Sequence, residues 1–152
     1  MFRTHLTFAL MLGLIFIGFV DNKILFIPIV LIASLMPDID STKSFIGNRW
    51  YFRPMQWFMK HRGMLHSLSF CILASLGISF LFPESAFPFF LGYSSHLMGD
   101  AITKEGIRPL WPFEGEIRGR IRTGGRVEMI LLLAIVIVNL FLIMLFLKEF
   151  LA

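Results

Sequence analysis

Hydrophobic positions along this chain fall into five blocks, 6–20, 24–36, 67–82, 87–99 and 127–147. Two of the polar connections are minimal, 21–23 and 83–86, and two are long, 37–66 and 101–126. The pattern predicts five membrane-embedded helices. A helix needs about 20 residues, rising about 1.5 Å each, to cross a hydrocarbon core of about 30 Å. Only the last block meets that length comfortably, so the second and fourth are expected to thin the bilayer or to borrow flanking residues buried in protein.

Composition strengthens this reading. Of 152 residues 57% are hydrophobic and 16% charged, with 18 phenylalanines and a mean hydropathy of +0.77. A compact soluble fold would have too few polar groups to cover its surface. The expected fold class is an all-α membrane protein, a single integral domain over 1–152. The start, Met1 to His5 followed by apolar residues, resembles a secretory leader, but no small-residue cleavage site precedes Asp21, and a retained first membrane segment is expected.

Charge sets the expected topology. Apart from Lys23 and Lys148, every Lys and Arg lies in the N-terminal tail or the two long connections: Arg3; Lys43, Arg49, Arg53, Lys60 and Arg62; Lys104, Arg108, Arg118, Arg120, Arg122 and Arg126. With five crossings these places share one side, and the positive-inside bias makes it cytoplasmic, with an external C-terminus. The net charge of +4 would suit nucleic acid, but basic residues interleaved with apolar blocks favour the lipid bilayer as partner, and no direct nucleic-acid binding is expected. Trp50, Trp57 and Trp111 mark both long connections as structured loops at the interface. A short helix is expected over 55–60, and a ribbon over 116–122 closed by Gly124 and Gly125. Cys71, the single cysteine, reads as apolar packing.

The candidate chemistry lies at the ends of the apolar blocks. His5 opens the first, Asp38 and Asp40 close the second, His61 and His66 precede the third, and His96 with Asp100 closes the fourth. Every histidine, and every aspartate except Asp21, is thereby brought to the same boundary. Ionisable groups at membrane depth are costly unless paired or bound to an ion. His96 and Asp100 are four apart and share one helix face, while Gly63 lets the chain bend between His61 and His66. Imidazole with carboxylate suits a divalent metal, Zn first and Mn or Fe next, and seven candidate ligands leave room for one or two ions. The structural alternative is that these residues cap helices or tie them together by hydrogen bonds, and for the isolated His5 it stands level with ligation. Arg62, Arg108 and Lys43 are candidate anion clamps, although topology alone would supply cations there. Ser67 reads as a helix cap rather than a nucleophile.

The motifs Met36-Pro37-Asp38-Ile39-Asp40, Lys43-Ser44-Phe45-Ile46-Gly47, His61-Arg62-Gly63-Met64-Leu65-His66-Ser67, Gly92-Tyr93-Ser94-Ser95-His96, Asp100 and Leu110-Trp111-Pro112 occur together. In this joint pattern the chain resembles the YdjM-like, LexA-binding, inner-membrane-associated metal-dependent hydrolase family. The likeness runs from His5 to the Trp-Pro motif and departs at Met64-Leu65, where a small residue or Thr commonly precedes the second histidine. It implies a polytopic inner-membrane protein with a metal-dependent hydrolase site and an unassigned substrate. A more distant similarity, in ligand order only, is to zinc-dependent phospholipase C; it implies Asp38 or Asp40 as bridge or base, His96 and Asp100 on one ion, and His5 with His61 or His66 on another.

These readings converge on an enzyme, a metal-dependent hydrolase at the cytoplasmic interface, acting on a phosphoester of a lipid or other amphiphile with Asp38 and Asp40 as the catalytic carboxylates. A metal-binding transporter and a non-catalytic membrane protein are the alternatives.

Overall fold

The structure is a computed structural model describing residues 1–42, 44, 46–58 and 63–151. Its described residues form six α-helices and short 3-10 turns, with no strand. Helix α1 (Phe2–Phe16) runs into a 3-10 turn at Ile17–Phe19, and α2 (Lys23–Ala33) begins where the Asn22 side chain accepts the Leu25 N–H at 3.3 Å. A 3-10 turn at Pro37–Asp40 and another at Trp50–Phe52 lead to the short α3 (Arg53–Phe58), the helix expected in the first long connection. A turn at Met64–His66 then opens α4 (Leu68–Leu81), which Ser67 caps by accepting the Phe70 N–H at 3.1 Å. Helix α5 (Pro83–Ala101) starts on proline, whose missing N–H costs nothing at a first helical position, and α6 (Arg126–Leu151) completes the chain.

Helices α1, α2, α4, α5 and α6 answer to the five apolar blocks, but they are not five membrane-length helices. Two are long and apolar enough to cross a bilayer, Phe2–Phe19 and Arg126–Lys148. The expectation of five fails on length and composition: the 11 residues of α2 and the 14 of α4 rise about 16 and 21 Å. The 19 residues of α5 include three serines, His96 and Asp100, so that helix is too polar.

Helix α5 is the axis of the packing. It contacts α1, α2 and α4, whereas α6 leans chiefly on α1. Gly92 lets α2 and α5 approach closely, since a β-carbon there would collide with the Val30 carbonyl. Val30, Ala33, Tyr93 and Leu97 are buried in the two apolar clusters around this crossing. Helix α6 is fastened to α1 by polar groups: Asn139 donates to the Thr7 carbonyl at 2.9 Å, and Glu128 accepts from the Thr4 hydroxyl at 2.7 Å and the Gly124 N–H at 2.6 Å.

The expected ribbon exists only as two isolated bridges, Ile107 with Ile117 and Thr103 with Ile121. Phe19–Asn22 and Pro83–Ser85, from the two minimal turns, line one cavity of about 280 Å³, so those turns meet at one end of the helices. His5, Asp38, Asp40, His66, His96 and Asp100 are at the other.

Candidate metal centre

Four separate stretches of chain deliver the site. His5 comes from the first turns of α1, Asp38 and Asp40 from the turn after α2, His66 from the turn before α4, and His96 and Asp100 from the last turns of α5. Local bonding holds each supporting segment. The Ser44 hydroxyl donates to the Asp38 carbonyl at 2.6 Å, and Gln56 Nε2 donates to the carbonyls of Ile39 and Gly47 at 2.7 and 2.8 Å, bracing the aspartate turn. The Tyr93 hydroxyl donates to the Leu65 carbonyl at 2.6 Å and pins the histidine turn to α5. A β-carbon on Gly99 would lie 2.6 Å from His5 Nδ1, so glycine is what leaves space for that ring.

Asp100 is central to the arrangement. Its Oδ1 lies 3.3 Å from His5 Nε2, and its Oδ2 lies 3.5 Å from His66 Nε2 and 3.7 Å from His96 Nε2. Asp38 Oδ1 lies 3.9 Å from the same His96 nitrogen. The His5 and His96 rings stack with centroids 4.0 Å apart, and the three imidazoles, Asp40 and Asp100 are all buried. Two overlapping donor groups result, His5 with His96 and Asp100, and Asp38 with His66 and His96.

The separations indicate what belongs between these atoms. A direct charged hydrogen bond closes to about 2.7–2.9 Å. Ligand atoms about 2.1 Å from a tetrahedral zinc are separated from each other by about 3.4 Å. The 3.3–3.7 Å separations around Asp100 are longer than the first spacing and near the second.

His96 supplies the decisive detail. Its Nδ1 lies 2.8 Å from the Ser34 carbonyl, which can only accept, so Nδ1 carries a proton and Nε2 is the ring nitrogen turned toward the carboxylates of Asp38 and Asp100. That Nε2 is buried with no hydrogen-bond partner among the described residues. Neutral imidazole offers a lone pair at such a nitrogen, and a cation held between it and the carboxylate oxygens would satisfy all of them in a dry interior. The donor set therefore fits a divalent ion.

His66 is oriented in a related way, with its Nδ1 3.3 Å from Asp40 Oδ2 while Nε2 faces Asp100. A carboxylate on the far nitrogen of a ligating imidazole fixes the ring and makes it more basic.

Five of the seven expected ligands, His5, Asp38, His66, His96 and Asp100, thus converge, and Asp40 adjoins them behind His66. His61, Arg62 and Lys43 lie outside the described residues. Arg108 is instead at the surface, where its guanidinium bonds Glu116 at 2.8 and 3.0 Å. Arg108 and Arg118 together hold the Glu116 carboxyl below the usual glutamate range. The roles of the Ser34 carbonyl, Gly99 and the Tyr93 hydroxyl escaped the sequence reading; Gly99, next to Asp100 inside a helix, and Tyr93, within the motif that ends at His96, left a visible signal.

The family model of the YdjM inner membrane protein matches residues 1–150. The chain belongs to the YdjM inner membrane protein family. It is 35% identical over 101 residues to the inner membrane protein YdjM of Escherichia coli K12, covering 60% of this chain and 52% of that protein, and equally so to the protein of the same name from Shigella flexneri. The chain thus spans about half the length of these relatives. No solved structure matches. Family membership makes this an inner membrane protein, in keeping with its two membrane-length helices.

Proposed function

We propose that this chain is a membrane-embedded, metal-dependent hydrolase acting on a phosphoester of a lipid or other amphiphile. The observation that carries the reading is the His96 Nε2 atom, buried without a hydrogen-bond partner among the described residues, beside a carboxylate of α5 and a carboxylate of the turn after α2 and flanked by the rings of His5 and His66. Both donor groups include His96, whose Nε2 lies near Asp38 and Asp100 alike and can ligate one ion only, so we read the described donors as a single centre, best suited to zinc.

When bound, such an ion supplies Lewis-acid activation of water and of the ester oxygen. The chain's own residues do the rest. His5, His66, His96 and Asp100 hold the centre, and Asp40 and the Ser34 carbonyl fix the rings of His66 and His96. Asp38, whose side chain is 22% exposed while the Asp100 side chain is 4%, is the carboxylate of the group with solvent access, suited to accept the proton of an attacking water.

The bilayer setting extends to the shorter helices. Ile24 and Ile32 of α2 and Leu73 and Phe80 of α4 are strongly exposed, giving even these helices apolar outer faces. With the basic long connections on the cytoplasmic side and α6 crossing from the end of one of them, the C-terminus is external and the centre is at the depth of inner-leaflet headgroups. A site there meets phosphoesters without withdrawing a hydrocarbon chain from the bilayer.

The test is purification with bound metal followed by a screen of phospholipids and isoprenoid phosphates. Turnover by the wild type, abolished by His96→Ala, is the expected result. A wild type that holds no stoichiometric metal, or releases no more product than His96→Ala, overturns the proposal, and metal flux into proteoliposomes without turnover would make the chain a transporter.

A further inference from the structure

A second cavity, of about 320 Å³, opens directly beside the candidate metal centre between α1, α5 and α6, within the size range of small-molecule sites. Its walls change character along their length. At the loop end stand Met1, Thr4, His5 and Glu128; from there Phe8 of α1 and Leu131 and Ile135 of α6 continue the walls one and two turns further along their helices. The rise from Glu128 to Ile135 carries the cavity about 10 Å away from the polar end. His5 belongs both to this wall and to the metal centre, so the cavity adjoins the centre at that ring. The flanking helices α1 and α6 are the two of membrane length, and α6 leans chiefly on α1, leaving the α5 side as a lateral mouth where Met98 is 56% exposed.

An occupant must match this polarity gradient: a polar end at His5 and one flexible apolar chain lying along the helices. We infer that this cavity holds the hydrocarbon chain of a lipid phosphoester, with the phosphate end directed to His5, and that Phe8, Leu131 and Ile135 set how long a chain is accepted. The inference rests on the hydrolase reading and names where its substrate's tail lies.

The test uses the full chain, zinc-loaded, in nanodiscs, with a dodecyl phosphate carrying a terminal diazirine and the matching alcohol as the headgroup-free control. Photolabelling by the phosphate should map to the segment around Leu131 and Ile135, exceed that by the alcohol, and fall about tenfold in a Leu131→Trp/Ile135→Trp variant that fills the space. Phe80→Trp, on the outer face of α4, should leave labelling unchanged. If the filled variant loses its zinc, Leu131→Ala/Ile135→Ala replaces it, and the widened cavity should label more strongly with a longer alkyl phosphate.

Equal labelling by phosphate and alcohol, which is the behaviour of ordinary surrounding lipid, overturns the inference, as does labelling that ignores both pairs of substitutions. Photolabelling needs no turnover, so the two proposals fail separately. Directed labelling without hydrolysis removes the enzyme and keeps the chain site; hydrolysis with undirected labelling does the reverse.

Discussion

Two clusters of charged and polar side chains, at Asp100 and at Glu116, differ in the one respect that separates an ion cradle from an ion pair. Around the exposed Glu116 the opposite charges touch, with the Arg108 guanidinium at 2.8 Å and Arg118 also in contact. Around the buried Asp100 three imidazole nitrogens stand 3.3–3.7 Å from its carboxylate oxygens, in surroundings that strengthen every electrostatic contact. Imidazoles and a carboxylate at such spacings in a dry interior could hold a cation between them.

That contrast breaks most cleanly at Asp100. Replacement by Ala should cost at least about 100-fold in zinc affinity, since losing a group that only orients a ligand costs about 10- to 100-fold and this oxygen pair itself faces three imidazoles. Metal analysis with competing chelators measures it, and a fully loaded Asp100→Ala protein would reduce the centre to a hydrogen-bonded helix tie. A native zinc content of two ions per chain in place of one would show that donors beyond the five described here build a second site.

Asp40→Asn sharpens the comparison, because it keeps shape and removes the charge behind His66. The expected loss is about 10-fold in affinity with stoichiometry retained; an unchanged affinity would mean that Asp40 has no part in orienting the ring. Gly99→Ala should displace His5 and weaken binding by a smaller factor, and an unshifted metal affinity there would remove His5 from the ligand set. Smallest of all, Arg108→Ala should leave both zinc content and Tm where they were, since exposed pairs contribute little and are screened by salt. A loss of metal in that variant would return Arg108 to the site.

How much of this was legible in the sequence depends on which physics was needed. The i to i+4 spacing of His96 and Asp100 follows from helical geometry alone, and the gathering of His5, Asp38 and His66 from an alternation of short and long connections. The apolar blocks marked the helices but not their span, because hydropathy registers apolar content and misses the serines and the His/Asp pair that α5 buries. Arg108 was misleading: a cation near a site resembles a clamp until Glu116, eight residues on, is found bonded to it. The roles of Asp38 and Asp40 diverge only in three dimensions, since both side chains come from one turn, one toward His96 and one toward His66 Nδ1.

The acceptor that fixes His96 is a peptide oxygen, that of Ser34. Any amino acid at position 34 would carry the same oxygen, so alanine scanning, and selection acting on side-chain identity, would both be blind to it. What guards that bond is the path of the backbone at the end of α2, and damage to it should come from substitutions that re-route the main chain there, proline foremost, rather than from any loss of function at the serine itself.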